Sequence, residues 1–185
     1  PLVASLSAAL AFALLVPDAS AQEARSKSLR EQRAERMAEL GEGKEDAKKA
    51  EAKPALYPNA TRTSPEATSG GKMVKSMQAL QALYDKPDMA GVVAKAEEIV
   101  AMPAASAYDK AIAYSMAGSA AADLDDQVKA AEYFRKAVEV NGLDNDSHYA
   151  TMYNEAVIQY GLEKYAEALA TVDRFLAETK SEKPE

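Results

Sequence analysis

The chain has 185 residues and a net charge of −7, with no cysteine and a single histidine. The absence of cysteine excludes disulfide bonds and thiolate chemistry, and His148 alone cannot supply the three or four ligands of a zinc site. The acidic balance of residues 73–185 argues against nucleic acid as a partner, because phosphates require a basic face.

Residues 1–21 have the pattern of a secretory signal peptide. Leu2 to Val16 are almost wholly apolar or small, and Ala19-Ser20-Ala21 matches the small-residue cleavage motif. This apolar run of about 15 residues is shorter than the roughly 20 that a membrane span needs. We therefore expect export to a bacterial periplasm and no stable membrane span after cleavage; a retained membrane anchor is the alternative.

Residues 22–72 are predicted to form a charged, largely disordered arm and linker. The first part is rich in Glu, Arg, Lys and Ala, but Leu29, Met37 and Leu40 form no continuous apolar stripe. From Pro54 to Lys72, proline and glycine alternate with Ser, Thr and Asn, which is typical of an extended segment without regular structure.

Residues 73–185 repeat one helical pattern at an offset of thirty-eight residues. The pattern begins at Met89, Gln127 and Tyr165, and it is typical of helical arrays whose units pack only on their neighbours. We predict an all-α domain of three hairpins, over 73–110, 111–148 and 149–185. Their first helices are expected at 73–84, 111–124 and 149–161, and their second helices at 88–101, 126–140 and 164–178.

Several residues match the motif of the tetratricopeptide repeat: Gly118, Ala130, Phe134, Ala137, Tyr165 and Ala168. The domain therefore resembles this family, which implies a right-handed solenoid of about three helical hairpins. Gly118 and Ala156 stand at the small position where the two helices of a hairpin approach most closely. The first hairpin departs from the motif, because Leu80 stands where glycine is expected and Val92 where alanine is expected.

The resemblance also implies a concave groove, lined by the first helix of each hairpin, that binds a peptide or a helix of another protein. Tyr153 and Tyr160 are the strongest candidates for binding in this groove, since tyrosine anchors interfaces well, although core filling is the default role of such residues. Transferred by position, the groove comprises Met77, Gln81, Tyr84, Ser115, Ser119, Tyr153, Asn154, Val157 and Tyr160.

No constellation of residues predicts catalysis, a cofactor site or a metal site. His148 follows Asp144 and Ser147 in a segment that suits a helix N-cap better than a metal site, because the remaining ligands are lacking. Asp123, Asp125 and Asp126 suit a solvated turn better than a catalytic carboxylate pair. An enzyme is therefore not expected.

The expected function is that of a non-enzymatic periplasmic scaffold that binds a protein partner. The signal, the charged arm and the segment from Gly142 to Val157 are similar to exported repeat proteins associated with TonB–ExbB–ExbD systems, which implies a helper role in outer-membrane transport. The alternative is a structural assembly factor of the cell envelope.

Both ends of the sequence suggest a longer chain. Pro1 stands where an initiator methionine is expected, and Ser181 to Glu185 look like a connector to a further hairpin. The alternative at the C-terminus is a native end in which a dimer partner shields the face around Leu176. A homo-oligomer is therefore kept open.

Overall fold

The computed structural model describes residues 55–181, which contain six α-helices and no β-strand. This confirms the all-α class. The predicted signal peptide, the charged arm as far as residue 54, and residues 182–185 lie outside the described residues. The helices are α1 (Val74–Asp85), α2 (Met89–Ala101), α3 (Ala107–Asp123), α4 (Gln127–Val140), α5 (Asn145–Gly161) and α6 (Tyr165–Thr179).

The six helices form three hairpins in a repeat-like arrangement. Each helix packs against the next one along the chain, and α1 also touches α3. The second helices begin one residue after the predicted positions, whereas α3 and α5 begin four residues before positions 111 and 149. These two predicted starts are wrong because Ser106 and Asp144 cap the helices earlier. Their side chains accept hydrogen bonds from the backbone N–H groups of Asp109 and Ser147, at 3.1 Å and 2.9 Å.

The thirty-eight-residue offset recurs in the backbone of the turns. At the end of the first helix in each hairpin, one N–H group donates to the carbonyl five residues earlier. Asp125 and Glu163, which are also offset by thirty-eight, both adopt the left-handed conformation, with φ of 66° and 61°. The hairpins are therefore alike in their turns as well as in their apolar pattern. The three hydrogen bonds are Asp88 N to Leu83 O (3.0 Å), Asp126 N to Ala121 O (2.9 Å) and Lys164 N to Gln159 O (2.9 Å).

The main core lies between the first two hairpins. Its largest fully buried residues are Phe134, Met73, Leu80, Ile99 and Val92. The ring of Phe134 lies over Gly118, where an added Cβ would stand only 2.7 Å from Cδ1 of the ring. Gly118 therefore allows α3 and α4 to approach closely, as its place in the motif predicts.

Residues 55–72 lie against the helices, so the predicted disorder of this part of the linker is wrong. We call these residues the strap. At one end of the strap, the Tyr57 ring packs edge-on against the rings of Tyr149 and Phe175, at centroid distances of 5.0 Å and 5.6 Å. At the other end, the Ser69 hydroxyl donates to Asp109 at 2.5 Å. The strap forms no helix or strand, as its composition indicates, but it is held by the ends of the helices.

Candidate functional site

Three of the predicted groove residues form an open apolar row on α5. Tyr153, Val157 and Tyr160 are 61%, 51% and 67% exposed. Their spacing of four and three residues places them on one side of the helix. We call these three residues the α5 row. The Tyr160 ring also contacts the ring of Tyr165, at the start of α6, in an edge-on arrangement with centroids 5.4 Å apart.

The predicted groove residues of the first hairpin are less accessible than the α5 row. Met77 and Tyr84 are half-buried and pack against the main core. Gln81 is also half-buried, and its amide donates to the Asp85 carboxylate at 2.7 Å. The first hairpin thus uses these side chains for its own packing and for a hydrogen bond within α1.

The remaining predicted groove residues are less exposed than the α5 row. Ser115 on α3 is half-buried, and its hydroxyl lies 3.3 Å from that of Thr151 on α5. Ser119 and Asn154 are half-buried as well. The α5 row is therefore the part of the predicted groove that offers a broad apolar surface to a partner.

A second open apolar surface lies on α6, beside the α5 row. Tyr165, Leu169 and Val172 are exposed, although the sequence pattern suggested only that they belong to a repeated apolar face. The thirty-eight-residue offset in the sequence identifies these three positions. Of their counterparts on α4, Ala131 and Phe134 are buried, and Phe134 packs over Gly118 of α3.

A polar cleft of about 530 Å³ lies where the strap meets α4 and α6. The guanidinium of Arg62 is occupied by oxygen atoms of Asn141, Leu143 and Asn145, at 2.5 to 3.1 Å. Arg174 pairs with Glu178 on its own helix at 2.6 Å. Because these cations already have partners, the cleft is not arranged as an anion site.

A buried acid lies in a smaller cleft of about 210 Å³ between α4, α5 and α6. Burial raises the pKa of Glu155 to about 7, and the guanidinium groups of Arg135 and Arg174 act in the opposite direction. Gln159 donates to the Glu155 carboxylate at 3.0 Å, and Thr171 donates to Gln159 at 2.9 Å. This polar chain connects α5 to α6 within the last hairpin.

His148 is fully buried in the first turn of α5, next to the strap. Neither of its ring nitrogen atoms has a hydrogen-bond partner among the described residues. Burial lowers the pKa of His148 to about 4, and the positive charge of Arg62 acts in the same direction. The sequence predicts that His148 lies in a segment that caps a helix. In the structure, Asp144 is the N-cap of α5 and His148 lies within the first turn.

Asp126, one of the acidic turn residues, has a structural role. Asp126 is the N-cap of α4, and its carboxylate accepts from the backbone N–H of Lys129 at 3.1 Å. Within residues 55–181, no three acidic or histidine side chains converge as they would to hold a metal ion. None of the helices in this range has the length and apolar content needed to cross a membrane.

Comparison of the chain with protein-family models, curated proteins and solved structures gives no match. What the site can bind is therefore inferred from its geometry alone. Apolar and aromatic side chains on α5 and α6 are accessible, whereas the titratable side chains of His148 and Glu155 are buried.

Proposed function

We propose that the protein is a non-enzymatic scaffold that binds a protein partner through the α5 row. The observation that carries this proposal is the exposure of Tyr153, Val157 and Tyr160 on one side of a well-packed helix. Tyrosine combines a large apolar surface with a hydroxyl that can form hydrogen bonds at the rim of an interface. Residues of this kind often supply most of the binding energy of an interface.

The array that presents this row is, in our proposal, a right-handed solenoid of the tetratricopeptide type. The recurrence of caps and turns at thirty-eight residues supports the assignment, as does the close approach at Gly118. The groove would then run along α1, α3 and α5. Its binding surface would be concentrated at α5, because the residues of α1 are already used in packing.

We further propose that the protein works in a bacterial periplasm, as a helper of TonB-dependent transport. The apolar run from Leu2 to Val16 and the Ala19-Ser20-Ala21 motif support export. The likeness of the segment from Gly142 to Val157 to exported repeat proteins supports the association. On this proposal the partner is TonB, ExbD or an outer-membrane receptor.

The first experiment is partner capture with a double variant, Tyr153→Ala with Tyr160→Ala. Partners of the wild-type chain are crosslinked in envelope extract, identified by mass spectrometry and then purified. We expect the double variant to bind the purified partner at least about tenfold more weakly, because two anchoring tyrosines are lost. Its helical content, measured by circular dichroism, should be unchanged, because both side chains are exposed.

The matched control is Leu124→Ala with Val128→Ala, which removes two exposed apolar side chains outside the α5 row. This control should bind the partner as the wild-type chain does. If the tyrosine variant also binds normally, the partner uses another surface. A structural assembly factor of the cell envelope would then become the better description.

A further inference from the structure

The junction between α4 and α5 contains the dipeptide Asn141-Gly142, and the fold favours both of these residues. Asn141 ends α4 in the left-handed conformation, with φ of 56° and ψ of 32°, which asparagine adopts more readily than most residues do. Gly142 is buried, and a Cβ at this position would collide with the backbone of Ala107 and Tyr108 in the first turn of α3. The packing of this junction therefore leaves no room for a larger residue after Asn141.

An asparagine that precedes a glycine can modify itself. The Gly142 nitrogen attacks the side-chain carbonyl carbon of Asn141, and the new C–N bond closes a five-membered succinimide ring. The side-chain nitrogen of Asn141 leaves as ammonia, which carries away the proton lost by Gly142. Water then opens the ring at one of its two carbonyl groups, which gives aspartate or isoaspartate. Glycine favours this reaction because it has no Cβ to hinder the attack.

The other asparagines of the chain lack this feature. Asn59, Asn145 and Asn154 are followed by Ala60, Asp146 and Glu155, whose side chains hinder the same attack.

One guanidinium holds both reacting groups of Asn141-Gly142. Nε of Arg62 donates to the Asn141 side-chain oxygen at 2.5 Å, and Nη2 donates to the Asn141 carbonyl oxygen at 3.1 Å. The side-chain oxygen belongs to the group that is attacked, and the carbonyl oxygen belongs to the peptide unit that contains the attacking nitrogen. At a ψ of 32° this nitrogen points away from the Asn141 side chain, so the planar peptide unit must rotate before the ring can close.

The same guanidinium also holds the chain beyond Gly142. Nη2 of Arg62 donates to the Leu143 carbonyl at 2.7 Å, and Nη1 donates to the Asn145 side-chain oxygen at 2.7 Å. The Asn145 side-chain nitrogen in turn donates to the Arg62 carbonyl at 3.0 Å. Rotation of the peptide unit between Asn141 and Gly142 therefore requires several of these hydrogen bonds to break together, as they do when the strap leaves the junction.

We propose that Asn141-Gly142 is a self-modification site, and that Arg62 of the strap keeps it unreacted while the strap is bound. A chain whose strap is released converts Asn141 to aspartate or isoaspartate. Aspartate adds a negative charge beside the Arg62 guanidinium. Isoaspartate adds a methylene group to the backbone between α4 and α5, where Gly142 is closely packed. The α5 row takes no part in this reaction, so the proposal does not depend on partner binding.

The test follows the conversion of Asn141 in the full chain at mildly alkaline pH. Peptide mass spectrometry distinguishes asparagine, aspartate and isoaspartate at every asparagine of the chain. We expect Arg62→Ala to convert Asn141 at least about tenfold faster than the wild-type chain, since the loss of one charge-assisted hydrogen bond shifts an opening equilibrium by that factor. The other three asparagines should react slowly in both proteins.

A control separates release of the strap from global unfolding, because Arg62→Ala also lowers stability. Gly118→Ala weakens the packing of α3 on α4 but leaves the hydrogen bonds of Arg62 in place. Urea is added until this variant has the same free energy of unfolding as Arg62→Ala. Its conversion at Asn141 should then be at least about tenfold slower than that of Arg62→Ala. Equal rates would show that global unfolding controls the reaction, and the proposal would be wrong.

Two further measurements identify the reacting group. Arg62→Ala with Asn141→Gln should show no conversion at position 141 on the same timescale, because glutamine would have to close a six-membered ring. In concentrated urea, where the strap is released from every chain, wild type and Arg62→Ala should convert Asn141 at equal rates. The proposal is overturned if Asn141 stays unmodified in the unfolded wild-type chain. It is also overturned if folded Arg62→Ala converts Asn141 no faster than folded wild type.

Discussion

Arg62 and Asn141 are joined by two hydrogen bonds across seventy-nine residues of sequence. The Arg62 guanidinium donates from Nε to the Asn141 side-chain oxygen at 2.5 Å, and from Nη2 to its carbonyl oxygen at 3.1 Å. Asn141 ends α4 in the left-handed conformation, with φ of 56°. The strap therefore binds one of the orphan carbonyl groups at this helix end, that of Asn141, which water or a further cap would otherwise have to satisfy.

Replacing Arg62 with alanine should lower the free energy of unfolding by about 2–3 kcal/mol, because charge-assisted hydrogen bonds to partly buried acceptors are lost. The matched control is Lys129→Ala. Lys129 pairs with Asp126 at the exposed start of α4, so its loss should cost much less than the loss of Arg62. Urea unfolding followed by circular dichroism gives both values. Similar values for the two variants would show that the strap contributes little to stability.

The sequence predicts the helices well because each of them is encoded locally. Apolar spacing, the stop at Asn141 and the turn residues all lie within a few positions of the structure they determine. The strap could not be predicted in the same way. Proline, serine and threonine between residues 54 and 72 indicate only that no helix or strand forms. The partners of the strap, such as Asn141 and Asp109, lie far along the chain.

The candidate surface could be predicted only in part. The helical spacing places Tyr153, Val157 and Tyr160 on one side of α5, but their exposure depends on what covers that side. Tyr84 stands at the position equivalent to Tyr160, yet it packs against the main core. The same position is thus packed in the first hairpin and open in the third. The role of the α5 row stays a prediction.

Gly118→Ala should destabilise the domain although alanine is the better helix former. The new Cβ would stand 2.7 Å from Cδ1 and 2.8 Å from Cε1 of the buried Phe134 ring. We expect a net loss of about 1–2 kcal/mol, since overpacking outweighs a gain of about 1 kcal/mol in helix propensity. Gly161→Ala is the control, because no atom lies within 4 Å of its added Cβ. Thermal melts should show the two glycine variants shifting in opposite directions.

His148 should make the fold sensitive to acid. Its pKa is about 4 in the folded chain and 6.5 in its ordinary state, so the folded chain binds this proton more weakly than the unfolded chain does. The stability contributed by the neutral ring is complete above pH 6.5 and decreases as the pH falls towards 4. The full difference is about 3 kcal/mol.

His148→Leu should remove this part of the pH dependence while keeping an apolar side chain of similar size. Arg62, Arg174, Glu178 and Asp144 also act on His148, so each variant is compared with the wild-type chain at every pH. Urea unfolding between pH 4 and pH 7 measures the difference. A parallel pH dependence in the two proteins would show that His148 is not the group responsible.

Glu155 should have the opposite effect in an overlapping range. Its folded pKa of about 7 lies above the ordinary value of 4.5, so the folded chain binds the proton more tightly than the unfolded chain. Relative stability is therefore highest below pH 4.5 and decreases as the pH rises through 7, by about 3 kcal/mol at most.

Glu155→Gln keeps the shape of the side chain without the charge. It should match wild type near pH 4 and be the more stable protein at pH 8. Glu98→Gln, at an exposed position on α2, is the control and should change this difference little. If Glu155→Gln is equally stable or less stable at pH 8, then Arg135 and Arg174 fully compensate the buried carboxylate.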